Sequence, residues 1–214
     1  MRHWFVRDDE RKAQGAMCRG GVYGSPGVVR QTSFGMAGTY IALLRGINVG
    51  KAKRVAMADL RAVIESLGYT DARTLLNSGN AVFSSARALR RNAAEELRAA
   101  LLRRTGVSSR FTLRSAKELD DIVRENPLLD VATDHSRLFA AFPADPDDLT
   151  RLKTLAKQPW KPEVLALGPG VAYIWCPNGL LESKAQEAVG KLLGDGVTMR
   201  NWATVQKLAL LLEG

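Results

Sequence analysis

The same order of strand-like and helix-like segments runs twice along this chain, and that order restricts the fold more than any single motif. Tyr40–Leu44 is a short apolar run of strand formers. Met57, Leu60, Val63, Ile64 and Leu67 have helical spacing, and Gly68 supplies a stop after them. Arg73–Leu76 and Ala81–Ser84 flank Asn77-Ser78-Gly79-Asn80, a hairpin-type turn. Ser85 is placed to cap a helix in which Leu89, Ala93, Leu97 and Leu101 repeat every fourth residue, ending at Thr105-Gly106. Arg110–Leu113 alternates like a strand, and Ser115 with Glu118 reads as a capping box for a further helix.

The second half reads the same way. Leu138–Phe142 is strand-like, and Asp145 followed by Pro146 reads as a helix start. Glu163–Leu167 and Val171–Trp175 flank Gly168-Pro169-Gly170, a second hairpin turn. Ser183 with Gln186 reads as another capping box, and Gly194 ends that helix. Val197–Met199 is a short strand, and Trp202, Val205, Leu208 and Leu212 share one helix face.

This order predicts an α+β protein of two ferredoxin-like βαββαβ repeats, each followed by an extra helix. Residues 38–126 make the first repeat, 127–136 the connector, and 137–214 the second repeat with its C-terminal helix. Little residue identity links the halves. The repetition lies in element order, which does not by itself give the strand pairing.

Residues 1–37 read differently: rich in Gly and Arg, without sustained apolar periodicity, and expected to be a disordered extension outside the fold. Either Met36 is the true start, or the segment is a basic binding arm. The first is preferred, because no charge block or motif marks an interaction tail.

The chain carries a net charge of +9, with 46% hydrophobic residues to build a core. The charge favours anionic partners such as nucleic acid or phosphates. The Arg-rich stretch containing Arg87, Arg90, Arg91, Arg98, Arg103 and Arg104 reads first as a solvated helix face, and second as a binding face. Cys18 and Cys176 imply no disulfide framework, and His3 and His135 add no spaced ligand set, so neither a metal nor another cofactor is expected. No secretory segment or long apolar span is visible, which predicts no membrane association and a cytoplasmic location.

Several motifs occur together. Leu43-Leu44-Arg45-Gly46-Ile47-Asn48-Val49-Gly50 opens the core, and Leu76-Asn77-Ser78-Gly79-Asn80 follows at the first hairpin. Near the end stand Gly179, Ser183-Lys184 and Arg200-Asn201-Trp202-Ala203-Thr204-Val205-Gln206-Lys207-Leu208. In this order they resemble the domain-of-unknown-function family 1697, from about Tyr40 to Leu212. That resemblance implies a compact bacterial protein of duplicated α+β build with no established activity. Similar sequences often carry a polar residue where this chain has Ala203.

Gly46-Ile47-Asn48-Val49-Gly50-Lys51 superficially suggests a phosphate loop, but the glycine spacing is one residue short and Ala52 replaces the metal-binding hydroxyl. Nucleotide hydrolysis is not expected. A looser anion site is: Arg45, Asn48, Lys51 and Lys53 should lie near Asn77, Ser78 and Asn80 at one end of the first unit. The competing reading is that the glycines permit tight turns and the asparagines cap local backbone.

A second cluster is Ser183, Lys184, Arg200, Asn201 and Trp202, with Lys184 and Arg200 expected to be neighbours. Arg200 could grip an oxyanion and Trp202 stack on a ring. Alternatively, Ser183 and Asn201 are helix caps and Trp202 is a core residue. His135 reads as a surface residue and Cys176 as a structural thiol. Asp120-Asp121 and Asp147-Asp148 read as helix-surface and first-turn residues, not as a catalytic pair. Phe83 and Phe111 lack the surrounding signature of an RNA-reading sheet.

No recognisable catalytic motif emerges. The leading expectation is binding of an anionic ligand, nucleic acid or a phosphorylated small molecule, through the Arg45–Lys53 loop and the Asn77–Asn80 turn, with Lys184, Arg200 and Trp202 completing it. The alternatives are an enzyme of unrecognised type, with Lys184 or Arg200 polarising a substrate, and a scaffold or oligomer subunit without catalysis.

Overall fold

A computed structural model of the chain describes residues 37–49 and 53–213. The expectations about residues 1–36 and about Lys51 lie outside the described residues.

The first part runs β1 (Gly38–Leu44), α1 (Met57–Ser66), β2 (Thr70–Leu75), β3 (Asn80–Ser85), α2 (Ala93–Thr105), β4 (Phe111–Ser115) and α3 (Ala116–Arg124). The second runs β5 (Leu138–Pro143), α4 (Asp148–Ala156), β6 (Val164–Gly168), β7 (Val171–Trp175), α5 (Lys184–Leu193), β8 (Val197–Asn201) and α6 (Trp202–Glu213). The element order is the expected one. The result is an α+β fold of two four-stranded antiparallel sheets, ordered β2-β3-β1-β4 and β6-β7-β5-β8.

Strand periodicity sorts the side chains. In β1, Ala42 and Leu44 face one way, into a core shared with Leu60 and Ile64 of α1 and Leu97 and Leu101 of α2. Ile41 and Leu43 face the other way, into a central core that also holds Leu138, Ala140 and Phe142 of β5. Ala141 of β5 faces a third core with Leu152 of α4 and Val189 of α5. Helices α3 and α6 pack on each other and line the central core through Leu119, Ile122, Trp202, Val205 and Leu208. Tyr173 of β7 reinforces that junction, its hydroxyl donating to the Ile122 carbonyl at 2.7 Å.

Three local readings need correction. Ser85 does not cap α2: it closes β3, its hydroxyl donates to the Arg87 carbonyl at 2.6 Å, and α2 begins only at Ala93. Asp145 does not cap α4 either. Its carboxylate accepts from the Asp147 N–H at 3.0 Å, forming a turn just before the helix. Ser183 does cap α5, accepting from the Gln186 N–H at 3.0 Å, but Glu163 supplies the carboxylate at that helix start. At α3 the full capping box is present between Ser115 and Glu118.

Candidate functional site

The two sheets share not only strand order but register. Leu44 faces Phe111 at the start of β4, and Pro143 faces Val197 at the start of β8. From there the strands correspond residue by residue: Thr112-Leu113-Arg114-Ser115 matches Thr198-Met199-Arg200-Asn201. Ser115 and Asn201 both cap the helix that follows. Arg114 pairs with Ile41 and Arg200 with Ala140, so both arginines leave their sheets on the central-core side.

Each arginine then reaches into the other half. Arg200 Nη2 donates to the carbonyls of Leu44 at 2.7 Å, Ser78 at 3.1 Å and Gly79 at 3.2 Å. Its Nε donates to Asn80 Oδ1 at 2.5 Å. Arg114 Nη2 donates to the carbonyls of Pro143 at 2.6 Å and Gly170 at 3.4 Å. Pro143 matches Leu44, and Gly170 matches Gly79; both glycines sit in hairpin turns at positive φ, 73° and 79°. The arrangement is a reciprocal pair of guanidinium clamps. Neither guanidinium has a carboxylate partner among the described residues. Burial lowers the Arg200 pKa to about 10, which still leaves it a cation at neutral pH, and burial lowers that of Arg114 as well.

The Arg200 clamp takes up two of the other expected ligand residues, Ser78 and Asn80. Asn80 is fully buried; its amide donates to the Leu75 carbonyl at 2.9 Å and to Ser78 Oγ at 3.0 Å while its oxygen receives Arg200. Asn48 has φ 55° and holds its own loop, donating to the carbonyls of Val55 at 2.9 Å and Asn77 at 2.7 Å and accepting from the Val55 N–H at 2.9 Å. The loop and the hairpin therefore do meet, as the topology implied.

The second cluster does not assemble as expected. Asn201 caps α6 through the Thr204 N–H at 3.0 Å. Trp202 is 1% exposed and sits edge-on to Tyr173 with ring centroids 6.0 Å apart, so it is a core residue and not a stacking platform for a ligand. Lys184 stands where α5 begins, its N–H held by Glu163 just before β6. Arg200 is on β8, and β6 and β8 are opposite edges of the same sheet. Lys184 and Arg200 are thus not neighbours: the expectation placed them at the same end but ignored the width of three strand spacings, about 14 Å.

Arg45 differs. Its Nη1 donates to the Val197 carbonyl, and its Nε lies 3.3 Å from Asp195. It also borders a groove of about 970 Å³, with Lys53, Arg98 and Arg110 as further cations. Glu95 and Asp195 are the acids there, paired with Arg98 at 2.7 Å and with Arg45. Lys53 and Arg110 are exposed and make no ion pair among the described residues. The floor is the Gly106–Arg110 loop, fixed where Ser109 Oγ donates to the Arg45 carbonyl at 2.9 Å. Of this groove, Arg45 and Lys53 were expected in an anion site, Arg98 only as part of an Arg-rich helix face, and Arg110 not at all. Arg98 and Arg110 are brought to it by α2 and by the β1–β4 pairing.

The remaining reactive groups are quiet. Cys176 is 1% exposed and burial pushes its thiol up to about 11. His135 is exposed in the connector. Among the described residues no group of His, Cys, Asp and Glu is arranged to hold a metal ion, and no helix is long and apolar enough to cross a membrane.

Comparison with known proteins adds the family and the fold. A family described as "Protein of unknown function (DUF1697)" matches residues 37–173, a span that ends before Ser183, Lys184 and Arg200–Trp202. The chain is also similar to the solved structure of the conserved bacterial protein SP0830 from Streptococcus pneumoniae. Their TM-score is 0.67 at 24% identity, over 83% of this chain and 99% of that one. At that identity the likeness is one of fold. No curated protein matches the sequence.

Proposed function

The chain belongs to this family of proteins of unknown function, and we propose that it is a binding protein for an anionic ligand, held in the groove between Arg45, Lys53, Arg98 and Arg110. The observation that carries this reading is the pair of exposed cations, Lys53 and Arg110, that face the groove with no acidic partner among the described residues. Two further cations are already held in place by Glu95 and Asp195. Such a wall attracts phosphate through charge and through the backbone N–H groups of a glycine-containing loop. Among the described residues no aromatic side chain lines the groove, which favours a phosphorylated small molecule over single-stranded nucleic acid read by stacking. We further propose that residues 38–126 and 137–214 are two copies of one ferredoxin-like unit, and that Asn48, Asn77, Ser78, Asn80 and Arg200 hold the frame to which the groove loop is attached.

Isothermal titration with inorganic pyrophosphate at low salt tests the binding reading, with a labelled single-stranded oligonucleotide as the competing probe. Pyrophosphate is expected to bind, and the double variant Lys53→Glu, Arg110→Glu is expected to lose at least about tenfold in affinity without a change in unfolding midpoint. Absence of binding to both probes, or unchanged affinity in the charge-reversed variant, would overturn the assignment. Tight, salt-steep binding of the oligonucleotide alone would move the ligand class to nucleic acid.

A further inference from the structure

The matched registers of the two sheets reveal a place where the halves differ. Arg45 follows Leu44, and Ala144 follows Pro143, so the two occupy corresponding positions. Arg45 fills its place by donating to the Val197 carbonyl at the start of β8. Ala144 offers only a methyl group, and a cavity of about 250 Å³ opens there, beside the edge strand β4. Its apolar wall is Tyr40, Leu89, Phe111 and Leu113. Its charged wall is Arg90, Arg91 and Arg114, with Glu118 as the one acid.

Arg114 is the second point of difference. It is 4% exposed and makes no ion pair among the described residues. Among the described residues its hydrogen bonds run from Nη1 and Nη2 to carbonyls, and its Nε makes none. The corresponding Nε of Arg200 is satisfied by the Asn80 side chain, but the residue matching Asn80 is Val171, which has no side-chain acceptor. Glu118 attracts Arg114 through space but forms no ion pair with it. Its Oε2 accepts the N–H and hydroxyl of Ser115, both at 2.7 Å, as part of the α3 cap. A buried guanidinium bordered by space, with no carboxylate in contact, is stabilised by an anion entering that space.

We propose that this cavity binds a small anion carrying an apolar body: one carboxylate or phosphate head beside Arg91 and Arg114, with the body against Tyr40, Phe111 and Leu113. Arg90 is paired with Glu96 at 2.9 Å, which leaves Arg91 and Arg114 without an ion pair among the described residues to disfavour a cation, and a fully polar ligand would leave the aromatic wall unused. The cavity is smaller than the 300–1,000 Å³ of drug-sized sites, which limits the body to about one ring or a short branched chain. This site is separate from the Arg45 groove and does not depend on it.

The test uses the full chain and three probes at up to millimolar concentration: 3-phenylpropionate, phenyl phosphate and the neutral 3-phenylpropionamide. At least one anionic probe should bind, about tenfold or more tighter than the amide, and which of the two binds better identifies the head group. Ala144→Leu, which fills the cavity without adding charge, should abolish that binding, and Arg91→Glu at the exposed mouth should weaken it about tenfold. Lys53→Glu should leave it unchanged, which separates this site from the groove. The unfolding midpoint of each variant confirms that it is folded. Failure of both anions to bind, equal binding of the amide, or full retention in Ala144→Leu would each overturn the proposal.

Discussion

Arg200→Ala is expected to lower the unfolding free energy by about 3 kcal/mol, a large share of the 5–15 kcal/mol that holds a typical domain. The guanidinium donates across the two halves to Leu44, Ser78, Gly79 and Asn80. Hydrogen bonds from a charged donor contribute about 1.5–3 kcal/mol each, but three of these four share one nitrogen and Arg200 is partly open to solvent, so the expected loss is that of one to two full bonds rather than four. Its removal also strands Asn80 Oδ1, an oxygen on a residue with 0% exposure. Lysine should not rescue the variant, because one ammonium cannot span a side-chain amide and three carbonyls. Urea unfolding of the purified proteins measures the difference. A loss below about 0.5 kcal/mol, the size of an ordinary surface change, would mean that the clamp contributes nothing.

The second large effect belongs to Gly79. Its φ is 79°, and a Cβ added there would stand 2.7 Å from Leu44 Cβ and 2.8 Å from Ile47 Cδ1. Gly79→Ala therefore meets both left-handed strain, about 1–2 kcal/mol, and overpacking, about 1–3 kcal/mol. We expect a total near 3 kcal/mol, accompanied by a weaker Arg200 clamp, because the Gly79 carbonyl is one of its acceptors. Gly170 is the internal control. It has φ 73°, but its added Cβ would meet only Arg114 Nε at 3.7 Å. Gly170→Ala should carry the conformational cost alone, about 1 kcal/mol. Equal losses in the two variants would contradict the crowding argument.

Element order was legible because it is written locally. Turn residues such as Asn77-Ser78-Gly79-Asn80, the Ser115 and Glu118 capping box, and the spacing of Leu60, Val63 and Ile64 each act within a few residues. Exact helix starts were less legible: Ser85 and Asp145 have the right chemistry for caps but spend it on neighbouring turns. The clamp was hidden for a different reason. Reasoning within one unit correctly brought the Arg45 loop to the Asn77 turn, yet it gave Arg200 the partner Lys184 from its own unit. The true partner, Asn80, is 120 residues away and lies in the other half. One signal was available: Thr112-Leu113-Arg114-Ser115 and Thr198-Met199-Arg200-Asn201 stand at the same place in the two element orders. An arginine just before a helix cap, in both halves, at a strand position facing the interior, points to a shared structural task.

The groove illustrates the opposite limit. Lys53, Arg98 and Arg110 come from a loop, a helix and the residue before a strand, and nothing in their spacing brings them together. Pairing of Arg45 with Arg110, whose carbonyl accepts the Arg45 N–H at 3.1 Å, is a tertiary fact.

The most direct measurement is a double-mutant cycle on Arg200→Ala and Asn80→Ala, read by urea unfolding. If the conspicuous polar residues of this chain mainly lock its two halves together, the pair should show a coupling of about 2 kcal/mol. Two losses that simply add, with coupling near zero, would contradict that account and return both side chains to the pool of candidate ligand contacts.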